Sequence, residues 1–250
     1  MSRKPRPQST KPTPATSQPT QVAPTQVTVA AVLQVRDGVL QALLWQRALE
    51  PFSGAWALPG GVLAQDETLE ASIRRHLAVK VDLAEVAHLE QVATYGDPGR
   101  NPVEWEIATA YLGLVPLGVD PSVPPDTSWH PVDHLPPTAF DHGAIIHSAR
   151  DRLRGKLSYS NIGFALAPAT FTLNELRDVY TAALGYDVSA TNLKRVLIRR
   201  GALVPTGGRR DPGRAGGRPA EEFAFADQAL AITDPFAALR PPEMRAPWAG

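Results

Sequence analysis

Residues Gly61–Leu83 read GVLAQDETLEASIRRHLAVKVDL and follow Trp56–Gly60, WALPG, without interruption. The Gly60-Gly61 turn and the strand ends around it are expected to form a concave surface of the kind that holds a ligand. Asp66, Glu67 and Glu70 then stand where a helix starts, and carboxylates there also suit the positive end of the helix dipole. A helical run follows, closing on Arg75. Positions 76, 79 and 80 fall at i, i+3 and i+4, on one face of that helix, and they hold His76, Val79 and Lys80. The stretch therefore begins like a phosphate-handling turn and ends like an ordinary amphipathic helix.

Working outward, Arg47, Phe52 and Trp56 lie close by in sequence. With Gly60, Gly61 and Glu67 they form the candidate ligand-binding set, Arg47 for phosphate pairing and the two aromatics for base stacking. Phe52 and Trp56 read equally well as core residues. Further back, VTVAAVLQVRDGVLQALLWQRA places two apolar, β-branched runs around Asp37-Gly38, which supplies the positive φ of a tight hairpin. Downstream, HLEQVATYGDPGRNPVEWEIATAYLGLVP gives strand, loop and strand. Strands mixed with one helix in this way predict an α/β domain over residues 27–140. Residues 1–26 are rich in Pro, Thr, Ser and Gln, carry Arg3, Lys4, Arg6 and Lys11 and contain no acid, so a disordered basic tail is expected.

From Asp141 the pattern turns helical, with Ile145, Ile146, Ala149 and Leu153 on one side, and a second, smaller domain is expected over 141–228. Thr172-Leu-Asn-Glu175 has capping-box spacing and Gly185 supplies the stop; Leu173, Leu176, Tyr180, Ala183 and Leu184 would form the buried stripe. Between Ser189 and Pro219 stand Lys194, Arg195, Arg199, Arg200, Arg209, Arg210, Arg214 and Arg218 against Asp211 alone. In SATNLKRVLIRRG, with Ser189 as N-cap, Leu193, Val196 and Leu197 face one side while Thr191, Asn192, Arg195 and Arg199 face the other. Two helices joined by a short Gly-containing turn, followed by a basic strand–loop–strand, predict a winged helix-turn-helix for duplex DNA. The candidate DNA-binding residues are Thr191, Asn192, Lys194, Arg195, Arg199, Arg209, Arg210, Arg214 and Arg218. Residues 229–250 are expected to be a loosely packed tail.

Whole-chain properties narrow the classes. The 250 residues carry 25 Lys and Arg against 25 Asp and Glu, and no cysteine, which excludes a disulfide framework and thiolate metal sites. With no apolar run long enough for a bilayer and no signal-peptide core, the protein is expected to be soluble and cytoplasmic, without a membrane partner.

The order WALPGG, Glu67, Arg75 and Leu77 resembles the Nudix hydrolase box GX5EX7REUXEEXGU, Gly61 falling on its first Gly. His76, Val79 and Lys80 replace its three later glutamates, and Asp82 its final Gly. Carboxylates at those positions would bind Mg²⁺, which neutralises a pyrophosphate and activates water; Val79 offers no ligand, and Lys80 is itself a cation. The segments FDHGAIIHSARDRLRGKLSYSNIGFAL, FTLNELRDVYTAALG and PTGGRR…GGRP further resemble the Nudix-related transcriptional regulators called NrtR, from Val27 to about Ala226. The resemblance implies an α/β Nudix fold, a mixed sheet between helices, followed by a winged helix-turn-helix. It also implies a homodimeric repressor of NAD synthesis or salvage genes that binds operator DNA and senses an NAD-related nucleotide such as ADP-ribose. No metal or cofactor is expected, and no catalysis. Two other classes stay open: an active Nudix pyrophosphatase drawing a carboxylate from Glu104 or Glu106, and an RNA-processing adaptor, which would want aromatics on the helix face.

Overall fold

The computed structural model describes residues 23–84, 86–211 and 219–234. Most of the expected basic tail, together with Arg214 and Arg218, lies outside the described residues. Strand β1 (Thr25–Arg36) starts just inside the range assigned to the tail and is the spine of the molecule. It is buried on both sides for most of its length, which is why its sequence is apolar almost without alternation. Asp37 at φ 50° and Gly38 at φ 76° turn it into β2 (Val39–Gln46), the double-positive turn that fits the twist of a two-residue hairpin.

Strands β3 (Trp56–Ala57) and β4 (Gly60–Val62) follow, then helix α1 (Leu69–Val81), β5 (His88–Tyr95), β6 (Glu106–Leu114) and β7 (Thr127–Pro131). The path of the sheet is β3-β2-β1-β6-β5, with β4 on β1 and β7 on β2; β1 and β6 run parallel and the other pairs antiparallel. Alternate residues of β1 serve opposite layers. Ala30 and Val32 meet Ile73, Leu77 and Val81 of α1, while Val29, Ala31, Leu33 and Val35 join the cluster on the other face.

Thr68 caps α1 by accepting from the Ala71 amide, and Asp82 ends it at φ 52°, in the left-handed region. That conformation explains the glycine of the box at this position: Asp tolerates it, glycine favours it.

The opposite layer is α2 (His142–Leu157), whose Ile145, Ile146, Ala149 and Leu153 are buried as the periodicity predicts. The expected domain start at 141 meets a finding here: α2 packs on β1, β5 and β6 and closes the first unit's sheet. Strand β8 (Phe171–Thr172), helices α3 (Leu173–Leu184) and α4 (Ala190–Arg199), and strands β9 (Leu203–Arg210) and β10 (Ala220–Phe225) complete the chain, with sheet order β8-β10-β9. The Thr172–Glu175 capping box forms and Gly185 closes α3 at φ 80°. Its buried residues are Leu176, Val179, Tyr180 and Ala183; Leu173 and Leu184 are half-buried, and Val179 was not in the expected stripe.

One apolar cluster runs from Val27 and Leu33 through Ile145 and Leu153 to Leu176, Leu197, Phe223 and Phe225, so the two units share a core. The start of the expected loose tail at 229 also differs. Asn161 bonds Ala229 and Ala231, Tyr159 O accepts from Thr233, and Arg200 pairs with Asp234 at 2.9 Å, which ties residues up to 234 onto the turn after α2 and the end of α4.

Candidate functional site

A cavity of about 220 Å³ opens where β1, β4 and β6 meet. Trp45 and Arg47 from the end of β2, the Gly60–Val62 turn, Lys80 from α1, Glu104 and Glu106 before and at the start of β6, and Phe140 and His142 before and at the start of α2 line it. The turn can approach this closely because residues 60 and 61 have no side chain. A Cβ on Gly60 would stand 2.2 Å from the Thr28 carbonyl, and one on Gly61 2.5 Å from the His76 ring.

Cations and carboxylates meet around this cavity. The Arg47 Nε donates to Pro51 O at 2.9 Å, its guanidinium lies 4.8 Å from the Phe140 ring, and burial lowers its pKa against the pull of Glu106 and Glu50. Arg100, with its side chain almost wholly buried, bridges Glu106 and Asp141 and so ties the loop before β6 to the start of α2. Glu106 also accepts from Asn101, and Glu104 accepts from Thr25 Oγ1 at 2.8 Å. His142 accepts the Leu58 amide at Nδ1, 3.0 Å away. Full burial pushes its pKa down to about 3, with Arg100 and Arg47 adding to the effect and Asp141 opposing it, so the ring is held neutral.

Of the sequence-nominated ligand residues, Arg47, Gly60 and Gly61 line the cavity, and the other three are placed elsewhere. Glu67 is spent on Arg75, which grips both its oxygens at 2.7 Å; that hydrogen bonding lowers the Glu67 pKa to about 2. Arg75 also donates to Val62 O, so the pair staples the turn to α1. Trp56 sets its ring edge-on to His130 at 4.3 Å and packs against the core, the second of its two readings. Phe52 stands behind the cavity wall, edge-on to Phe140 at 5.0 Å.

The three substituted positions share one face of α1, as the spacing predicts, but that face meets three different surroundings. His76 is buried under the turn with Nε2 3.1 Å from Val62 O, Val79 is 74 % exposed, and Lys80 reaches the cavity. Lys80 Nζ donates to Gly60 O at 2.6 Å and lies 4.6 Å from the Trp45 ring. Among the described residues no group of three or more His, Asp or Glu stands together as a metal site. Sequence reasoning missed Trp45, Phe140 and His142 as cavity residues; only the nearness of Trp45 to Arg47 could have signalled any of them.

The second surface is built by α3, the Gly185 turn and α4. Ser189 caps α4 through the Asn192 amide, and Leu193 and Leu197 fix its inner side. Thr191, Asn192, Arg195 and Arg199 are exposed, with Arg195 Nη2 donating to Asn192 Oδ1 at 2.8 Å. Lys194 is half-buried against Phe223 and paired with Glu221 at 3.0 Å. Arg209 on β9 is exposed. Arg210 is engaged within the fold: it pairs with Glu175 at 2.6 Å and Glu222 at 3.0 Å and donates to Thr170 O.

The arrangement of a cavity-bearing α/β unit and a winged helix matches known proteins in the same order. Residues 24–149 match the NUDIX domain family and residues 163–225 the NrtR DNA-binding winged helix domain. The chain is 32% identical over 214 residues to the ADPR responsive transcriptional repressor NtrR of Acinetobacter baylyi, covering 82% of this chain and 84% of that protein. It is 30% identical over 130 residues to the ADP-ribose pyrophosphatase of Methanocaldococcus jannaschii, covering 48% of this chain and 72% of that enzyme. The crystal structure of Shewanella oneidensis NrtR complexed with a 27mer DNA superposes with a TM-score of 0.68 at 32% identity, over 80% of this chain and 93% of that one. Two domain matches in the right order and a relative aligned along most of both chains place this protein in the Nudix-related NrtR family of transcriptional regulators.

Proposed function

We propose that the protein is a homodimeric transcriptional repressor of genes for NAD biosynthesis or salvage, acting in the cytoplasm, whose Nudix domain senses ADP-ribose or a related nucleotide without hydrolysing it. The observation that carries the reading is the exposed polar face of α4 on a helix packed through Leu193 and Leu197. Asn192 and Arg195 are the side chains for base edges, Thr191, Arg199 and Arg209 for phosphates. Helix α2 is the element common to both surfaces: His142 lines the cavity at one end, and at the other Arg154 donates to Ala183 O in the last turn of α3. A nucleotide that shifts His142 would act on the helix-turn-helix through this rod. The named relatives, one responsive to ADPR and one complexed with DNA, support the same reading.

Catalytic inactivity is supported by Val79 in solvent and by Lys80 as a cation at the turn. The pyrophosphatase reading keeps one observation in its favour, Glu104 and Glu106 in the cavity wall. Fluorescence anisotropy with duplex DNA from upstream of NAD-synthesis genes tests the choice. Two chains should bind each operator in preference to random duplex, and ADP-ribose should change the affinity by roughly 5- to 150-fold. Equal affinity for random DNA, or Mg²⁺-dependent release of AMP from ADP-ribose at about 1 per second or faster, would overturn it.

A further inference from the structure

Lys80 is in an unusual position for a lysine. Its ammonium has three donors, and among the described residues its one hydrogen-bond partner is the neutral carbonyl of Gly60, with the Trp45 ring beside it. Burial pushes its pKa below the ordinary lysine range, and the charges of Arg47 and Arg75 push the same way. Arg47 lines the same cavity. This end of the cavity thus holds two neighbouring cations without a partner anion on the lysine, and an anion is what would relieve both the desolvation and the mutual repulsion.

The residues do not fit Mg²⁺ at this turn. That ion needs close, near-octahedral oxygen ligands. The candidate positions on α1 hold an imidazole bonded to Val62 O, a solvent-facing valine and the ammonium itself, 2.6 Å from the carbonyl. Among the described residues three carboxylates line the cavity: Glu106 is held by Arg100 and Asn101, Glu104 by Thr25, and Glu50 acts on the charge of Arg47.

We infer that Lys80, with Arg47, is a built-in cationic site for the diphosphate of the bound nucleotide, so that the cavity takes its ligand without a divalent metal. The inference rests on the reading of the cavity as a nucleotide site, and adds the group that neutralises the ligand's charge.

Isothermal titration of the full chain with ADP-ribose, and separately with inorganic pyrophosphate, in excess EDTA and in excess Mg²⁺, tests it. The wild-type protein should bind both probes in EDTA. Lys80→Gln should weaken both by roughly 10- to 100-fold, the loss of one charge-assisted hydrogen bond, and Lys80→Arg should retain most of the affinity. Melting temperatures establish that the variants fold; if Lys80→Gln does not, the wild-type EDTA comparison and Lys80→Arg decide. ADP-ribose binding that requires Mg²⁺, or Lys80→Gln binding as tightly as wild type, overturns the inference and leaves the effector reading standing. Lys80-dependent binding of pyrophosphate in EDTA with no binding of ADP-ribose does the reverse. Binding of neither probe in EDTA overturns the cationic site.

Discussion

His142 shows how a single buried side chain couples the cavity to pH. Its folded pKa is about 3 against an ordinary 6.5. Between those values the unfolded chain binds a proton that the folded chain refuses, so folding stability is fully present above 6.5 and is lost as pH falls toward 3. His142→Asn keeps an acceptor for the Leu58 amide but cannot be protonated. Denaturant melts from about pH 7 down to about pH 4 should show wild type losing up to about 1.4 kcal/mol more per pH unit than His142→Asn in the acid part of that range. Parallel pH profiles for the two proteins would mean that the ring is solvated and that the cavity wall is not closed.

The elements separate reading from holding. On α4, Asn192→Ala and Arg195→Ala should each cost about 1 to 3 kcal/mol on operator DNA and much less on random duplex. On β9 the two neighbouring arginines should part company. Arg209→Ala should lower the salt dependence of binding by about one unit of slope. Arg210→Ala should lower the melting temperature, because its guanidinium joins Glu175 at the start of α3 to Glu222 in the wing. Anisotropy at several salt concentrations and a thermal melt check all four; a salt slope altered by Arg210→Ala alone would reverse the assignment.

This division also marks what the sequence could tell. The face of α4 was legible because period 3.6 shows in ten consecutive residues, and the β1–β2 hairpin because Asp37-Gly38 has few other uses. The engagement of Arg210 was not legible, since Glu175 lies 35 positions away. The cavity was half legible for the same reason: Arg47, Gly60 and Gly61 sit near the quoted stretch, whereas Phe140 and His142 reach it only through the packing of α2 on the sheet.

At the scale of the molecule, the shared apolar cluster joins β1 to the wing. A lobe that lends its inner face to its neighbour cannot melt alone without exposing that neighbour's core. Scanning calorimetry of residues spanning both units should therefore show a single transition. Phe223→Ala, at the far end of the cluster, should cost about 3 to 5 kcal/mol and shift the whole peak downward. Two resolved peaks, with only one of them moved by Phe223→Ala, would sink the idea of a common core.

The winged helix has a further consequence for how the molecule travels. Eight of the chain's 25 cations and one of its 25 acids lie between residues 189 and 219, so the remainder carries seven more acids than bases although the total is zero. Along the chain the charge is therefore uneven although the total is zero, and within the fold three of the eight cations are already paired, Lys194 with Glu221, Arg200 with Asp234 and Arg210 with Glu175 and Glu222. In the field of a polyanion the exposed cations of this segment, Arg195, Arg199 and Arg209 among the described residues, are drawn in first. Orientation then begins within a Debye length of the duplex, about 8 Å at physiological salt, and the side of the protein that meets the DNA is selected before any base is read.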